Sequence, residues 1–336
     1  MSGFPALLQH VAGGGTLSAD QAAEAFGAIM AGEVSEMRMA SLLTVLALRK
    51  PTIEELTGAV RAMRAKMTTI EANPYAIDLC GTGGDGIGTR NISTACAFVV
   101  AACGVPVAKH GNRSMSSKSG TADCLEALGV NIALSPADAS RCLREAGLCF
   151  LFAQAYHPAM KYAAPVRKEL GFRTIFNLIG PLSNPARVRR QLVGVYDKAW
   201  CVPLAETLGK LGAEHAWVVH GDGMDELAIS GPSHVAILNG GKVSTREIGP
   251  EDAGLSWAPR SAIAGGTAAE NAAALTRLFD GETGAYRDIV LLNSAAALIV
   301  AGNAESLREG AKLAAAALDS GAAKAKLEKI VAVSNA

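Results

Sequence analysis

The stretch that most constrains this chain runs from residue 76 to 108. An apolar segment at 76–80 leads into Gly81-Thr82-Gly83-Gly84-Asp85-Gly86, a helical pattern follows over about 93–103, and a second apolar segment occupies 105–108. Two strands joined through a helix run parallel, because a crossover of that length returns the chain to the same end of the sheet. The alternation continues with helix 122–128, strand 131–134, helix 138–146 and strand 149–153. It resumes with strand 191–195, helix 202–211, strand 216–220 and a hairpin around Gly240-Gly241. Ala-rich helices starting at Ala268, Ser294 and Ala304 close the chain.

The first seventy residues carry helices alone. Ser18 with Gln21 and Thr52 with Glu55 form capping boxes, and Ser35 starts a further helix that Pro51 stops. The apolar stripes Ala22/Phe26/Ile29/Met30, Met39/Leu42/Leu43/Leu46 and Leu56/Val60/Met63/Met67 give each helix one face to bury. Residues 165–185 turn helical again and end in Gly180-Pro181-Leu182-Ser183-Asn184-Pro185. The fold expected is α/β: a small N-terminal helical domain (1–71) joined by the returning segment 165–185, and a larger α/β domain (72–164 and 186–336) with a mostly parallel sheet.

Composition removes whole classes. With 336 residues, 31 Lys+Arg against 31 Asp+Glu, and half the residues hydrophobic, the chain is no disordered polyion. It also lacks the basic excess expected of a generic nucleic-acid or membrane-surface binder. Seven cysteines without a C-x-x-C pair predict reduced, mostly buried thiols in the cytosol. The opening Met1-Ser2-Gly3-Phe4-Pro5 predicts no signal peptide, and no apolar run reaches the ~18 residues of a membrane span.

The glycine loop matches G-x-G-x-x-G, but a dinucleotide site also wants an acidic residue ~20 positions on. No carboxylate occurs between Asp85 and Asp123, which disfavours NAD chemistry. What the loop offers is anion binding: glycines expose backbone N–H groups, and a helix N-terminus capped by Asn91-Ile92-Ser93-Thr94 adds partial positive charge. The next βα turn, Lys109-His110-Gly111-Asn112-Arg113-Ser114-Met115-Ser116-Ser117-Lys118-Ser119-Gly120, adds three cations and four serines with no acid among them. In a parallel sheet both loops leave the carboxyl ends of neighbouring strands, so two anion-binding loops converge on one crevice. A ligand with phosphates at two places suits them. Asp225-Glu226, after strand 216–220, would bring hard oxygen ligands for Mg²⁺ to the same edge.

These strings, together with His157-Pro158-Ala159-Met160-Lys161, Pro165-Val166-Arg167, the run from Arg173 to Pro185 and Gly223-Met224-Asp225-Glu226, closely resemble the anthranilate phosphoribosyltransferase family. The resemblance follows essentially the whole chain in order. It implies the nucleoside phosphorylase/phosphoribosyltransferase type of fold, and transfer of a 5-phosphoribosyl group from phosphoribosyl pyrophosphate (PRPP) to anthranilate, with Mg²⁺, in tryptophan biosynthesis. It further implies a cytoplasmic homodimer joined through the helical domain, with small-molecule substrates and neither nucleic acid nor membrane as partner.

By the same resemblance PRPP is held by Gly81, Gly84, Asp85, Thr89, Asn91, Ile92, Ser93 and Thr94, then by Lys109, His110, Gly111, Asn112, Arg113, Ser114, Met115, Ser116, Ser117 and Thr121. Anthranilate falls to Gly81, Asn112 and Arg167, whose guanidinium fork suits a benzoate carboxylate. Metal falls to Ser93, Asp225 and Glu226. No residue is an obligatory general base; His110 is the best candidate by position. The sequence departs from the family at Arg90, where Phe is usual, at Gln154, and at Tyr156, which stands where a second His often occurs. Arg90 would add charge beside the phosphate loop, and Tyr156 would lie near the anthranilate entrance. Two other readings stay open at this point: a pyrimidine-nucleoside phosphorylase, and a non-catalytic relative that kept the fold.

Overall fold

The computed structural model describes residues 3–84, 86–113 and 119–336. Seven strands form one sheet: β1 (Ile77–Gly81), β2 (Val107–Gly111), β3 (Leu148–Phe152), β4 (Arg190–Gly194), β5 (His215–Gly221), β6 (Ser233–Asn239) and β7 (Lys242–Ile248). Their order is β3-β2-β1-β4-β5-β6-β7; the first five run parallel, and the hairpin β6–β7 adds on antiparallel. From β1 the chain steps to β2 and β3 on one side, then crosses back to lay β4 on the other side of β1. Connections therefore diverge at the carboxyl ends of β1 and β4, which opens a crevice there.

Alternation along the strands feeds two cores, as a period of two requires. Leu79, Leu192, Trp217 and Val219 join Phe98 and Leu292 of helices Ile92–Ala102 and Ala285–Ala301. Cys80, Val193, Ala216 and Val218 face the other way, towards Leu204 and Leu208 of helix Cys201–Lys210. Phe26 and Leu43 from the N-terminal helices and Phe176 from the returning segment bury in that second core. The four N-terminal helices are Phe4–Ala12, Ala19–Ala31, Glu36–Arg49 and Ile53–Lys66, and both expected capping boxes form, at Ser18/Gln21 and Thr52/Glu55. The Phe26 ring meets Phe176 edge-on at 5.8 Å.

Three sequence expectations are corrected. Residues 131–134 form no strand: Asn131 folds onto its own backbone by accepting from the Ala133 N–H, and bonds Ser334 of the last helix. The second strand sits at Val107–Gly111 rather than 105–108, so its end carries Lys109, His110 and Gly111 directly. The C-terminal helices begin at Ala268, Ala285, Leu307 and Ala322; Ser294 lies inside the second of them, completely buried. No helix among the described residues is long and apolar enough to cross a membrane, and all seven cysteines are free thiols.

Candidate active site

The crevice floor is built by close approach. Gly81 and Gly194 are register partners at the ends of β1 and β4, and the loop after β5 lies directly on both. A Cβ on Gly194 would overlap the Asp225 backbone, and one on Gly81 would come within 2.9 Å of the Asp225 carboxyl carbon. Only glycine lets that loop seat here. Once seated, Asp225 accepts the Gly83 N–H at 2.7 Å and Glu226 accepts the Ser93 N–H at 3.2 Å. The two carboxylates thus meet the glycine loop and the first turn of helix Ile92–Ala102.

Lys109 enters from β2 with its side chain buried; its ammonium donates to the Leu79 carbonyl and to Ser93 Oγ at 3.2 Å. A buried cation needs a countercharge, and fully buried Asp78 on β1 supplies one. Burial pushes the Asp78 carboxyl up, and the Lys109 charge works against that. Asp78 also fixes its neighbours, accepting from the His110 N–H at 3.0 Å and from Asn184 Nδ2 at 2.7 Å. Asn184, from the end of the returning segment, bonds the Ala108 carbonyl as well.

His110 is buried, and its Nε2 lies 3.2 Å from Nε2 of His157. Burial first, then the facing ring, push His110 well below the usual imidazole value; burial brings His157 to about 4. Both rings are neutral near pH 7. A proton carrier needs access to the reacting group, and His110 instead spends its ring on His157 and the Gly180 carbonyl.

The structure gathers most of the expected phosphate residues at the ends of β1 and β2. Gly84 lies in the loop, Thr89 makes a bridge to Ala264, and Asn91 stands as N-cap before Ile92, Ser93 and Thr94. Thr94 reaches Thr121 Oγ1 at 3.5 Å, which joins the two loops. Ile92 is buried, so only its backbone could meet a ligand. Gly111 ends β2 and Asn112 follows it, exposed. Asp85, Ser114, Met115, Ser116 and Ser117 lie outside the described residues. Arg113 corrects an expectation: its guanidinium pairs with Asp123 and Glu126 of the following helix, so this loop does have local acid.

Across the crevice the returning segment carries Arg167 on helix Ala164–Leu170, its guanidinium 5.5 Å from the Phe176 ring. It is half-buried, burial lowers its pKa, and no carboxylate among the described residues pairs with it. Arg173 spans the gap, lying 4.2 Å over the Tyr196 ring and donating to the Gly84 carbonyl. Tyr156 is corrected: it is buried with its hydroxyl 3.2 Å from the Leu134 carbonyl, a core residue rather than part of an entrance. Gln154 is exposed, and Arg90 rests on the Tyr286 ring at 5.0 Å. Asp78, Asn184 and Arg173 also support the site; all three lie within stretches notable in the sequence, but nothing local to each marks that role.

Among the described residues no three His, Cys, Asp or Glu side chains form a ready metal cage. Asp225, Glu226 and the Ser93 hydroxyl fit a divalent cation that completes its octahedron with ligand and water oxygens, the habit of Mg²⁺.

The helical-bundle domain of the glycosyl transferase family matches residues 5–67, and the a/b domain of that family matches residues 73–324. The anthranilate phosphoribosyltransferase of Rhodopseudomonas palustris (strain HaA2) is 56% identical over all of both chains. That of Azorhizobium caulinodans is 55% identical over all of this chain and 98% of its own. The crystal structure of the Thermus thermophilus enzyme superposes with a TM-score of 0.94 at 44% identity, covering 98% of this chain and 99% of the other. The Saccharomyces cerevisiae enzyme in complex with PRPP and Mg superposes at 0.90 with 25% identity, covering 99% and 98%. More than half of its residues are shared, end to end, with curated relatives of one name, a solved structure of that name has the same fold, and the chain belongs to the anthranilate phosphoribosyltransferase family.

Proposed function

We propose that this protein transfers the 5-phosphoribosyl group of PRPP to the amine of anthranilate, releasing pyrophosphate, as a step of tryptophan biosynthesis. The observation that carries the reading is the pairing of two unlike walls. One, at the ends of β1 and β2, is the glycine loop and a helix N-terminus beside buried Lys109, with the Asp225 and Glu226 carboxylates docked on the Gly83 and Ser93 N–H groups. The other bears the acid-free guanidinium of Arg167.

The amine displaces pyrophosphate at the anomeric carbon, and the transition state is oxocarbenium-like with negative charge growing on the leaving group. Fixed donors aimed at that growing charge do most of the catalytic work. The glycine loop and the first turn of helix Ile92–Ala102 hold the leaving pyrophosphate, and Lys109 keeps a positive charge beneath it. Bound Mg²⁺ would neutralise phosphate charge, held by Asp225 and Glu226 with Ser93. Arg167 takes the anthranilate carboxylate, with Gly81 and Asn112 beside it, so that the amine meets the sugar at short range. His110 shapes the site through His157, and no proton transfer is assigned to it.

The substrates then meet between the helical domain (1–71 with 165–185) and the α/β domain (72–164 and 186–336). The same reading gives a cytoplasmic homodimer joined through the helical domain, where Met37 and Leu48 on helix Glu36–Arg49 are each 82% exposed. Release of pyrophosphate that requires PRPP, anthranilate and Mg²⁺ together supports the assignment; release independent of anthranilate sinks it. Replacing Asp225 by Asn and Glu226 by Gln should raise the Mg²⁺ requirement sharply, and an unchanged requirement refutes their role.

A further inference from the structure

Among the described residues, five helices start with a Ser or Thr whose hydroxyl caps its own first turn: Ser18, Thr52, Ser135, Thr267 and Ser306. Asn91 stands at the N-cap of the helix under the glycine loop and makes no such bond. Its side chain is engaged elsewhere. Asn91 Oδ1 accepts from Nδ2 of Asn271 at 2.9 Å and from Ser119 Oγ at 3.4 Å. Asn271 lies 180 residues further on, in helix Ala268–Phe279, and is 3% exposed.

The direction of these bonds is fixed by a group with only one possible role. The Gly266 backbone N–H donates to Asn271 at 2.9 Å, so the contacting atom of Asn271 must be its carbonyl oxygen. The amide of Asn271 then presents NH₂ to Asn91, and Asn91 must answer with its own oxygen. That turns the NH₂ end of Asn91 away from Asn271. The strap carrying Gly266 is itself tied to the loop before Asn91, through Gly265 N–H to the Gly88 carbonyl at 2.8 Å and Arg90 N–H to the Ile263 carbonyl at 3.0 Å. Tyr286 reaches the Asn91 carbonyl at 3.4 Å.

We propose that Asn271 is a positioning residue for the PRPP subsite: by a one-way chain from Gly266 through Asn271 it sets the polarity of the Asn91 amide, so that Asn91 offers a donor to the anionic substrate. The proposal rests on the reading that PRPP lies over these loops. An amide no longer held by Asn271 can turn its oxygen towards phosphate, where lone pair against phosphate oxygen repels and a donor to the ligand is lost. Asn271 contributes by excluding that flip.

The test is calorimetric binding of Mg²⁺·PRPP to the full-length protein. In Asn271→Asp the carboxylate still accepts the Gly266 N–H but cannot donate to Asn91 Oδ1, so the strap contact survives and the relay breaks. The Kd for PRPP should rise about tenfold, the cost of a mispaired buried polar group, while the anthranilate KM stays within twofold of wild type. Asn271→Ala should show a like loss in the wild-type background and less than a twofold loss in an Asn91→Ala background, since the effect passes through Asn91. PRPP affinity within twofold of wild type for both single variants overturns the proposal. So does an equal loss from Asn271→Ala with and without Asn91. If wild type binds PRPP and these variants weaken it, but anthranilate is not converted, the acceptor assigned above fails and the relay stands. If wild type does not bind PRPP, both fail.

Discussion

The two walls of the crevice solve different recognition problems with different materials. The sheet side offers mostly backbone: glycines at the ends of β1 and β4, a helix N-terminus, and one lysine held by Leu79 and Ser93. The helical side offers side chains, with Arg167 over the Phe176 ring and Arg173 over Tyr196. Phosphates present many equivalent oxygens, so a dense array of N–H groups serves them. An aromatic acid presents one carboxylate on an apolar ring, so one fork beside apolar surface serves it. Backbone sites depend on close approach, and side-chain sites depend on one functional group.

That contrast predicts how each wall breaks. The largest effect belongs to the backbone wall, at a residue with no side chain. Gly194→Ala should drive the Asp225 loop off β4 and lower kcat/KM by about 100-fold or more, since ångström-scale misplacement is enough for such a loss. A variant with wild-type turnover would show that the seating of Asp225 is not needed. The side-chain wall should fail more narrowly. Arg167→Lys keeps the charge and loses the fork, so the anthranilate KM should rise by roughly tenfold while the PRPP KM is unchanged. An equal rise in both would erase the division between the walls.

The smallest effect concerns the buried contact of His110 with His157. An unfolded histidine titrates near 6.5, whereas His157 in the fold is pushed down to about 4 by burial, and His110 is also held well below the ordinary value. Between those values the unfolded chain binds protons that the folded chain refuses. Stability is therefore full above about pH 6.5 and falls as pH drops towards 4. Urea denaturation across that range should show the decline, reduced in His157→Gln. A flat profile would mean that the rings are not the neutral pair described.

Local pattern made the parallel sheet, the capping boxes at Ser18 and Thr52 and the hairpin at Gly240-Gly241 legible, because each is encoded within a few residues. The stretch 131–134 misled for the same reason: its apolar alternation looks like a strand, and what removes it is Ser334 at the far end of the chain. Arg113 read as an unopposed cation because its acids, Asp123 and Glu126, lie just beyond the loop on the next helix. The phosphate loops were visible as strings, but the groups that aim them were not. Asp78 looked like one polar residue in an apolar strand, and Asn271 carried no local signal. Both act through contacts that only the folded chain creates.

The central claim is that the two walls bring PRPP and anthranilate together for transfer. Anthranilate fluorescence, followed after PRPP is added to purified protein with Mg²⁺, tests it most directly. The account predicts a steady loss of fluorescence that needs all three components. Unchanged fluorescence at saturating PRPP, anthranilate and Mg²⁺ would contradict it.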